Sequence, residues 1–157
     1  MIGKGNFYEP VIHVPLIAVP PGGCAAPRRF DRLVEVMDVA PTVLDYAGVA
    51  IPPQTQATSF RPVLEGGDGG HDAVLSEYTI NNQSVSGKCL CGDRYKYVVW
   101  DYEGGGEFYD LRKDPHERRN LWNDPACRDE RDRHAELLLR RLMASERPYA
   151  AGREEPY

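Results

Sequence analysis

Apolar and polar positions repeat with different periods along this chain, and the change of period divides it. The first apolar run, Val11-Ile12-His13-Val14-Pro15-Leu16-Ile17-Ala18-Val19, is about as long as a strand and mostly β-branched, the composition of a buried strand. Pro20-Pro21-Gly22-Gly23 ends it, and the residues up to Arg29 have loop composition. Leu33, Val36, Met37, Ala40, Val43, Leu44 and Ala47 then keep a three-and-four spacing that lays one apolar stripe along a helix. Asp38 is the expected N-cap, Pro41 falls in the first turn where no amide hydrogen is missed, and Gly48 stands at the left-handed position after the last turn. Residues 52–72 carry enough Pro, Gly, Gln and Thr for a surface connection with one short turn at 60–64.

Beyond residue 72 the period shortens to two. Residues 73–80, 84–90, 95–100 and 107–111 are short aromatic or β-branched runs separated by Asn81-Asn82, Gly92-Asp93 and Gly104-Gly105-Gly106, which predicts a four-stranded antiparallel meander. Alternating aromatics in Tyr95-Lys96-Tyr97 suit a sheet with one covered face. The cover is the last element: Asp124-Pro125 caps and starts a helix whose apolar end is Leu137, Leu138, Leu142 and Met143. Its charged first half, residues 128–134, reads as a solvated face with i,i+4 pairs, and residues 153–157 as a frayed tail. The chain thus falls into residues 1–62, strand, loop and helix, and residues 63–157, four strands and a helix. A single strand needs neighbours, so the first part either borrows the meander or belongs to a larger α/β sheet.

Composition narrows the function classes. With 157 residues, 41% hydrophobic and 27% charged, the chain has the make-up of a globular domain. No apolar run approaches the roughly 20 residues of a membrane span. A formal net charge of −5 with no basic stripe excludes a nucleic-acid backbone as main partner. Cys24, Cys89, Cys91 and Cys127 lack zinc spacing and read as buried thiols. No secretory leader opens the sequence, which tilts the expected compartment toward the cytoplasm.

Candidate chemistry is sparse. Gly3-Lys4-Gly5 sets an ammonium between glycines that let the backbone approach a sulfate or phosphate oxygen, although alone such a lysine is ordinarily a solvated surface residue. His13, His71, His116 and His134 show no metal spacing. Asp31, Asp38, Asp45, Asp110 and Asp114 do not establish a carboxylate pair, since capping explains Asp38 and a turn explains Asp114-Pro115. Cys24-Ala25-Ala26-Pro27-Arg28 places a Cys and an Arg four apart, but its Pro falls one position late for a Cys-x-Pro-Ser-Arg nucleophile motif and no Ser precedes the Arg, so it is taken as a loop.

Four segments in order nevertheless resemble the carboxyl-terminal portion of the sulfatase family, within the alkaline phosphatase superfamily. They are Gly3-Lys4-Gly5-Asn6-Phe7-Tyr8-Glu9 with Val14-Pro15-Leu16-Ile17; Val36-Met37-Asp38-Val39-Ala40-Pro41-Thr42-Val43-Leu44-Asp45-Tyr46-Ala47-Gly48; Arg94-Tyr95-Lys96-Tyr97; and Phe108-Tyr109-Asp110-Leu111 with Asp114-Pro115, Glu117, Asn120-Leu121 and Asp124-Pro125. The resemblance implies an α/β fold, α+β within these residues. Residues 1–62 would end the catalytic α/β domain, and 63–157 would form the small antiparallel sheet with its packed helix. It implies that Lys4 contacts the substrate sulfate and assigns no catalytic or metal-binding residue here. The formylglycine nucleophile, made from Cys or Ser in Cys/Ser-x-Pro-Ser-Arg, and the divalent cation, commonly calcium, belong to family segments upstream of Gly-Lys-Gly. The chain by itself is therefore expected to be inactive.

Three readings stand side by side: part of a sulfuric ester hydrolase acting on a small sulfate ester; part of a phosphonate monoester or phosphodiester hydrolase of the same superfamily; and a non-catalytic interaction module. Self-association, or pairing with the remainder of the family fold, is the expected protein contact. The expected exposed surface is the apolar run 11–19.

Overall fold

The computed structural model describes residues 5–23, 27–79, 85–102 and 105–146. Its contacts group Met1–Leu16 with Asp72–Arg141 in one compact unit and Ile17–His71 with Leu142–Tyr157 in another.

In the first unit, β1 (Ala73–Thr79), β2 (Ser86–Gly92), β3 (Tyr95–Trp100) and β4 (Gly106–Asp110) form one sheet in the order β1-β2-β3-β4. All three pairings are antiparallel, the expected meander. Register obeys the two-residue period: Cys89 faces Val98 and Cys91 faces Lys96 across β2 and β3, so these side chains share a face with Trp100. Phe7, from the segment ahead of the sheet, completes a core cluster with Cys89, Cys91, Val98 and Trp100. Its ring lies 5.0 Å from that of Trp100. Gly87 makes this approach possible, because a Cβ there would come within 2.5 Å of the Trp100 ring and 2.7 Å of the Phe7 ring.

The opposite face carries Tyr95 and Tyr97. Tyr95 stacks on Phe108 at 5.3 Å, and Tyr97 meets Trp122 at 5.3 Å. His134, on α4 (Arg128–Ser145), packs edge-on to Tyr95 at 5.4 Å and Phe108 at 5.5 Å. Asp124 starts this element as expected, its carboxylate accepting from the Ala126 amide at 3.0 Å and Pro125 opening a 3₁₀ turn. The sheet is therefore covered on both faces, by the helix on one and by the Phe7 segment on the other.

The run 11–19 is not a strand. Glu9–Ile12 is a single helical turn, α1, and residues 13–19 have no ladder partner among the described residues. Val14, Leu16, Ile17 and Val19 stand 51%, 47%, 91% and 74% exposed. The physical reason is the one that limits any lone strand: its backbone groups require a neighbouring strand, and the meander's register leaves this run unpaired.

In the second unit, a 3₁₀ turn at Val36–Asp38 leads into α2 (Val39–Tyr46). Gly48 takes φ +67°. The amide of Val49 bonds the Leu44 carbonyl at 3.0 Å and that of Gly48 bonds Asp45 at 3.2 Å, the double closure that a left-handed C′ residue permits. Asp38 stands at the N-cap position of α2 as expected, but its side chain makes no capping hydrogen bond to that helix. Its side chain closes a reciprocal capping box with Glu35 across the preceding turn. Its Oδ2 accepts from the Glu35 amide at 2.8 Å and from His71 Nε2 at 2.7 Å, and its Oδ1 accepts from the Thr58 amide at 2.8 Å. Thr42 Oγ1 accepts from the Phe60 amide at 2.9 Å, so the connection is pinned to the helix just ahead of α3 (Arg61–Leu64), the turn expected at 60–64.

Candidate functional site

Three of the resembling segments converge on one side chain. Lys96 lies between two tyrosines in β3, and the period of the strand turns it onto the Phe7 face, where it is 0% exposed. A buried ammonium is costly unless its donors are filled and its charge is met. Its Nζ donates to the Phe7 carbonyl at 3.0 Å, to Glu9 Oε1 at 2.6 Å and to Glu117 Oε1 at 2.7 Å. That accounts for all three donors of an ammonium. The other Glu117 oxygen accepts from the Glu9 amide at 2.7 Å, so one carboxylate ties Lys96 and the backbone of Glu9 together.

The titration behaviour is set by these contacts. Burial pushes the Lys96 ammonium down, but its hydrogen bonds to Glu117 and Glu9 outweigh that and hold it above its ordinary value. Burial likewise pushes Glu9 up, and the bonds from Lys96 and from His13, at 2.9 Å, more than reverse it, leaving the carboxyl below its usual range. Glu117 is 6% exposed and sits at φ +53°, a left-handed conformation that costs a non-glycine residue about 1 kcal/mol. It is held there by both oxygens of its side chain, which bond the Glu9 amide and Lys96.

The remaining motif residues build the frame around this centre. Arg94 donates to Asp110 through Nε at 3.2 Å and Nη2 at 2.9 Å, and that bond holds the Asp110 carboxyl below its ordinary value. Asp114 accepts from the Arg119 amide at 2.8 Å. Asn120 accepts from the Phe108 and Trp122 amides and donates to the Gly106 carbonyl. These contacts fix the loop that carries Glu117 against the end of β4.

Lys4, the expected sulfate contact, lies outside the described residues, as does Cys24. The segment after Lys4 is well tied. Gly5 abuts Tyr78, where an added Cβ would come within 3.1 Å of the hydroxyl, and Phe7 is 4% exposed. His13 pairs with Glu9, His71 with Asp38, and His134 Nδ1 donates to the Glu130 carbonyl at 2.8 Å. His116 is exposed. Lys96, Glu9 and Glu117 enter the sequence reading only as parts of motifs. The available signal is a lysine in the middle of a strand, on the face shared with Val98 and Trp100.

Neither of the two groups implied by the resemblance fits these residues. Glu35, Asp38 and His71 bring ligand atoms within 4.8 Å of one another. Both Asp38 oxygens already accept from Glu35, Thr58 and His71, whereas calcium takes about six to eight oxygen ligands. The set does not fit a calcium site. Nor do Cys89 and Cys91 suit conversion to a nucleophile. Both are buried, and burial pushes the Cys91 thiol up to about 12 and that of Cys89 higher.

Among the described residues no helix is long and apolar enough to cross a membrane. Residues 2–143 match the family model for the N-sulphoglucosamine sulphohydrolase C-terminal region. Over 126 residues the chain is 36% identical to the Delta 4,5-hexuronate-2-O-sulfatase of Bacteroides thetaiotaomicron, a match covering 76% of this chain and 26% of that protein. A solved 2-O GAG sulfatase superposes with TM-score 0.66 at 33% identity, covering 74% of this chain and 26% of that one. The phosphonate monoester hydrolase of Agrobacterium radiobacter superposes with TM-score 0.65 at 26% identity, covering 75% and 26%. The chain thus spans about a quarter of the length of the relatives it matches. By this match it belongs to the sulfatase family, as its N-sulphoglucosamine sulphohydrolase C-terminal region.

Proposed function

We propose that these residues serve a hydrolase that cleaves small sulfate esters, and that Lys4 is its sulfate-binding lysine. One observation carries the reading: Lys96 joins, by direct bonds, the segment that contains Lys4 to the other two motif segments around it. In such an enzyme a fixed ammonium neutralises the sulfuryl oxygens and the charge that develops as the ester bond breaks, often the largest catalytic contribution. The formylglycine and the calcium ion are assigned to the upstream portion that the relatives possess, because the residues described here do not fit them. On the same reading residues 1–62 end the catalytic domain and 63–157 are its C-terminal subdomain.

The test uses the native gene product containing these residues, assayed on 4-nitrophenyl sulfate and on a phenylphosphonate monoester. The expected result is hydrolysis of the sulfate ester, with Lys4→Ala lowering kcat/KM about 100-fold. The second reading, a phosphonate hydrolase, is favoured by the similarity to the Agrobacterium radiobacter enzyme. A large preference for the phosphonate ester would replace the first reading with it.

A further inference from the structure

The helical unit turns the polar side of α2 inward and its apolar side out. Asp38, Thr42 and Asp45 recur at the four-and-three spacing of one helix face, and all three are engaged within the unit. Asp38 and Thr42 are buried, and Asp45 accepts from Ser59 Oγ at 2.7 Å and from Arg61 Nη1 at 3.1 Å. Val36, Val39, Ala40 and Val43 keep the complementary spacing from the preceding turn into the helix, and all four are exposed. An amphipathic helix ordinarily turns such a stripe toward a core, and a contiguous apolar stripe left in solvent marks a contact surface. A second observation in the same unit points the same way. Ile17 and Val19 are exposed on a run that has no ladder partner among the described residues.

A β-sheet answers both needs: its edge supplies hydrogen bonds to an unpaired run, and its face takes the apolar stripe of a helix. The four-stranded sheet of this chain has no face to offer, because α4 and the Phe7 segment occupy its two sides within its own unit. The chain matches the C-terminal region of the family and only 26% of the length of the hexuronate sulfatase, so most of the family fold lies upstream of it. We propose that Val36, Val39, Ala40 and Val43 form an internal docking surface, covered in the native gene product by the face of a β-sheet from the upstream portion. The inference rests on the reading of residues 1–62 as the end of a catalytic domain and deepens it, by assigning the contact to one face of one helix. The inverted polarity of α2 follows from it: residues 58–61 satisfy the acids and the hydroxyl on one side, and the upstream sheet takes the valines on the other.

Cysteine labelling in the native gene product reads the cover directly. Val43→Cys changes the side chain little in size. It is treated with a charged maleimide, and the label at residue 43 is located by peptide mass spectrometry. Lys113→Cys, at an exposed loop position of the sheet unit, is the reference. Labelling at residue 43 is expected to be at least about 100-fold slower than for the same cysteine in urea, at every protein concentration, whereas Lys113→Cys reacts close to its rate in urea. Ala40→Cys, one turn earlier, repeats the measurement on the same stripe and is expected to be protected to a similar degree. Labelling of both stripe positions as fast as in urea would overturn the inference, since the face would then be open. Protection that disappears on dilution would overturn it as well, in favour of a second copy of the chain as the cover. Labelling reports burial and not turnover, so the two readings fail separately. An open α2 in a protein that hydrolyses 4-nitrophenyl sulfate removes the docking surface alone, and a protected α2 in a protein that hydrolyses no sulfate ester removes the sulfatase reading alone.

Discussion

The two units of this chain reverse the usual relation between polarity and burial, each in its own way. In the sheet unit an ammonium sits at the centre of the fold, with Lys96 0% exposed, as are Val98 and Phe108. In the helical unit an aspartate is among the most enclosed side chains, Asp38 at 1%, while Ile17, Val36 and Val43 stand 91%, 72% and 62% exposed. Burial here tracks the supply of partners, not hydrophobicity alone. Lys96 is enclosed because three acceptors meet it, and Asp38 because three donors do. Ile17 is exposed because its run has no strand to pair with. The sheet unit completes its core from its own residues, whereas the helical unit is organised around one hydrogen-bonded acid.

The severest challenge to this contrast is to remove the central ammonium. Lys96→Met leaves two carboxylates facing one another without a counter-charge, and loss of one member of a buried ionic cluster costs about 3–5 kcal/mol. Urea unfolding monitored by tryptophan fluorescence, which reports on Trp100 and Trp122, measures it. The loss also has a pH signature. Glu9 is held below its ordinary 4.5, so its contribution is present above that value and fades as pH falls through the lowered one. Lys96 is held above its ordinary 10.5, so its contribution is complete below that value and fades as pH rises through the raised one. The stability gap between wild type and Lys96→Met is therefore widest and flat between about pH 5 and 10, and narrows at both ends. A gap that persists undiminished at pH 3 would show that charge pairing is not its origin.

Removing the other hub is expected to cost less, because Asp38 is held by hydrogen bonds with one carboxylate and not by opposed charges on three side chains. Asp38→Ala strands the Glu35 and Thr58 amides and the His71 ring, at about 1.5–3 kcal/mol for bonds to a charged acceptor. Amide exchange at Thr58 and Glu35 is the measurement, with β3 amides as the internal reference. Faster exchange confined to residues 35–60 would confirm that the two hubs act independently; equal acceleration in β3 would not.

These two centres are legible in the sequence to different degrees, and the reason is physical. Local rules read the elements well: the period of two locates all four strands, Asp124-Pro125 locates the start of α4, and Gly48 locates the end of α2. Each of those depends on residues within a few positions of one another. Lys96, Glu9 and Glu117 are brought together across 87 and 21 positions, and no periodicity encodes such a meeting. Asp38 reads as an N-cap and occupies that position, but its carboxylate bonds the distant Thr58 and His71 and not the first turn of α2. The run 11–19 reads as a strand because its composition suits one, although composition does not supply a neighbour. Gly48→Ala tests the local kind of rule: at φ +67° a Cβ costs about 1–2 kcal/mol, expected to appear as a fall in melting temperature of a few degrees, about 2–4 °C per kcal/mol for a chain of this size. An unchanged melting temperature would mean that α2 ends elsewhere in solution.

The distinction between composition and partnership involves the least energy of all. If Ile17 were part of a buried strand, replacing it by serine would remove several buried methyl and methylene groups and cost about 2–5 kcal/mol. At 91% exposure it has almost nothing to lose, and Ile17→Ser is expected to change the stability of this chain by less than about 0.5 kcal/mol. Urea unfolding of the 157-residue chain measures this, at several protein concentrations so that self-association through the same run registers as a concentration-dependent midpoint. A loss of about 2 kcal/mol or more, independent of concentration, would place Ile17 in a core within the chain. It would then be the helical unit, like the sheet unit, that buries its own apolar residues, and the contrast between the two would disappear.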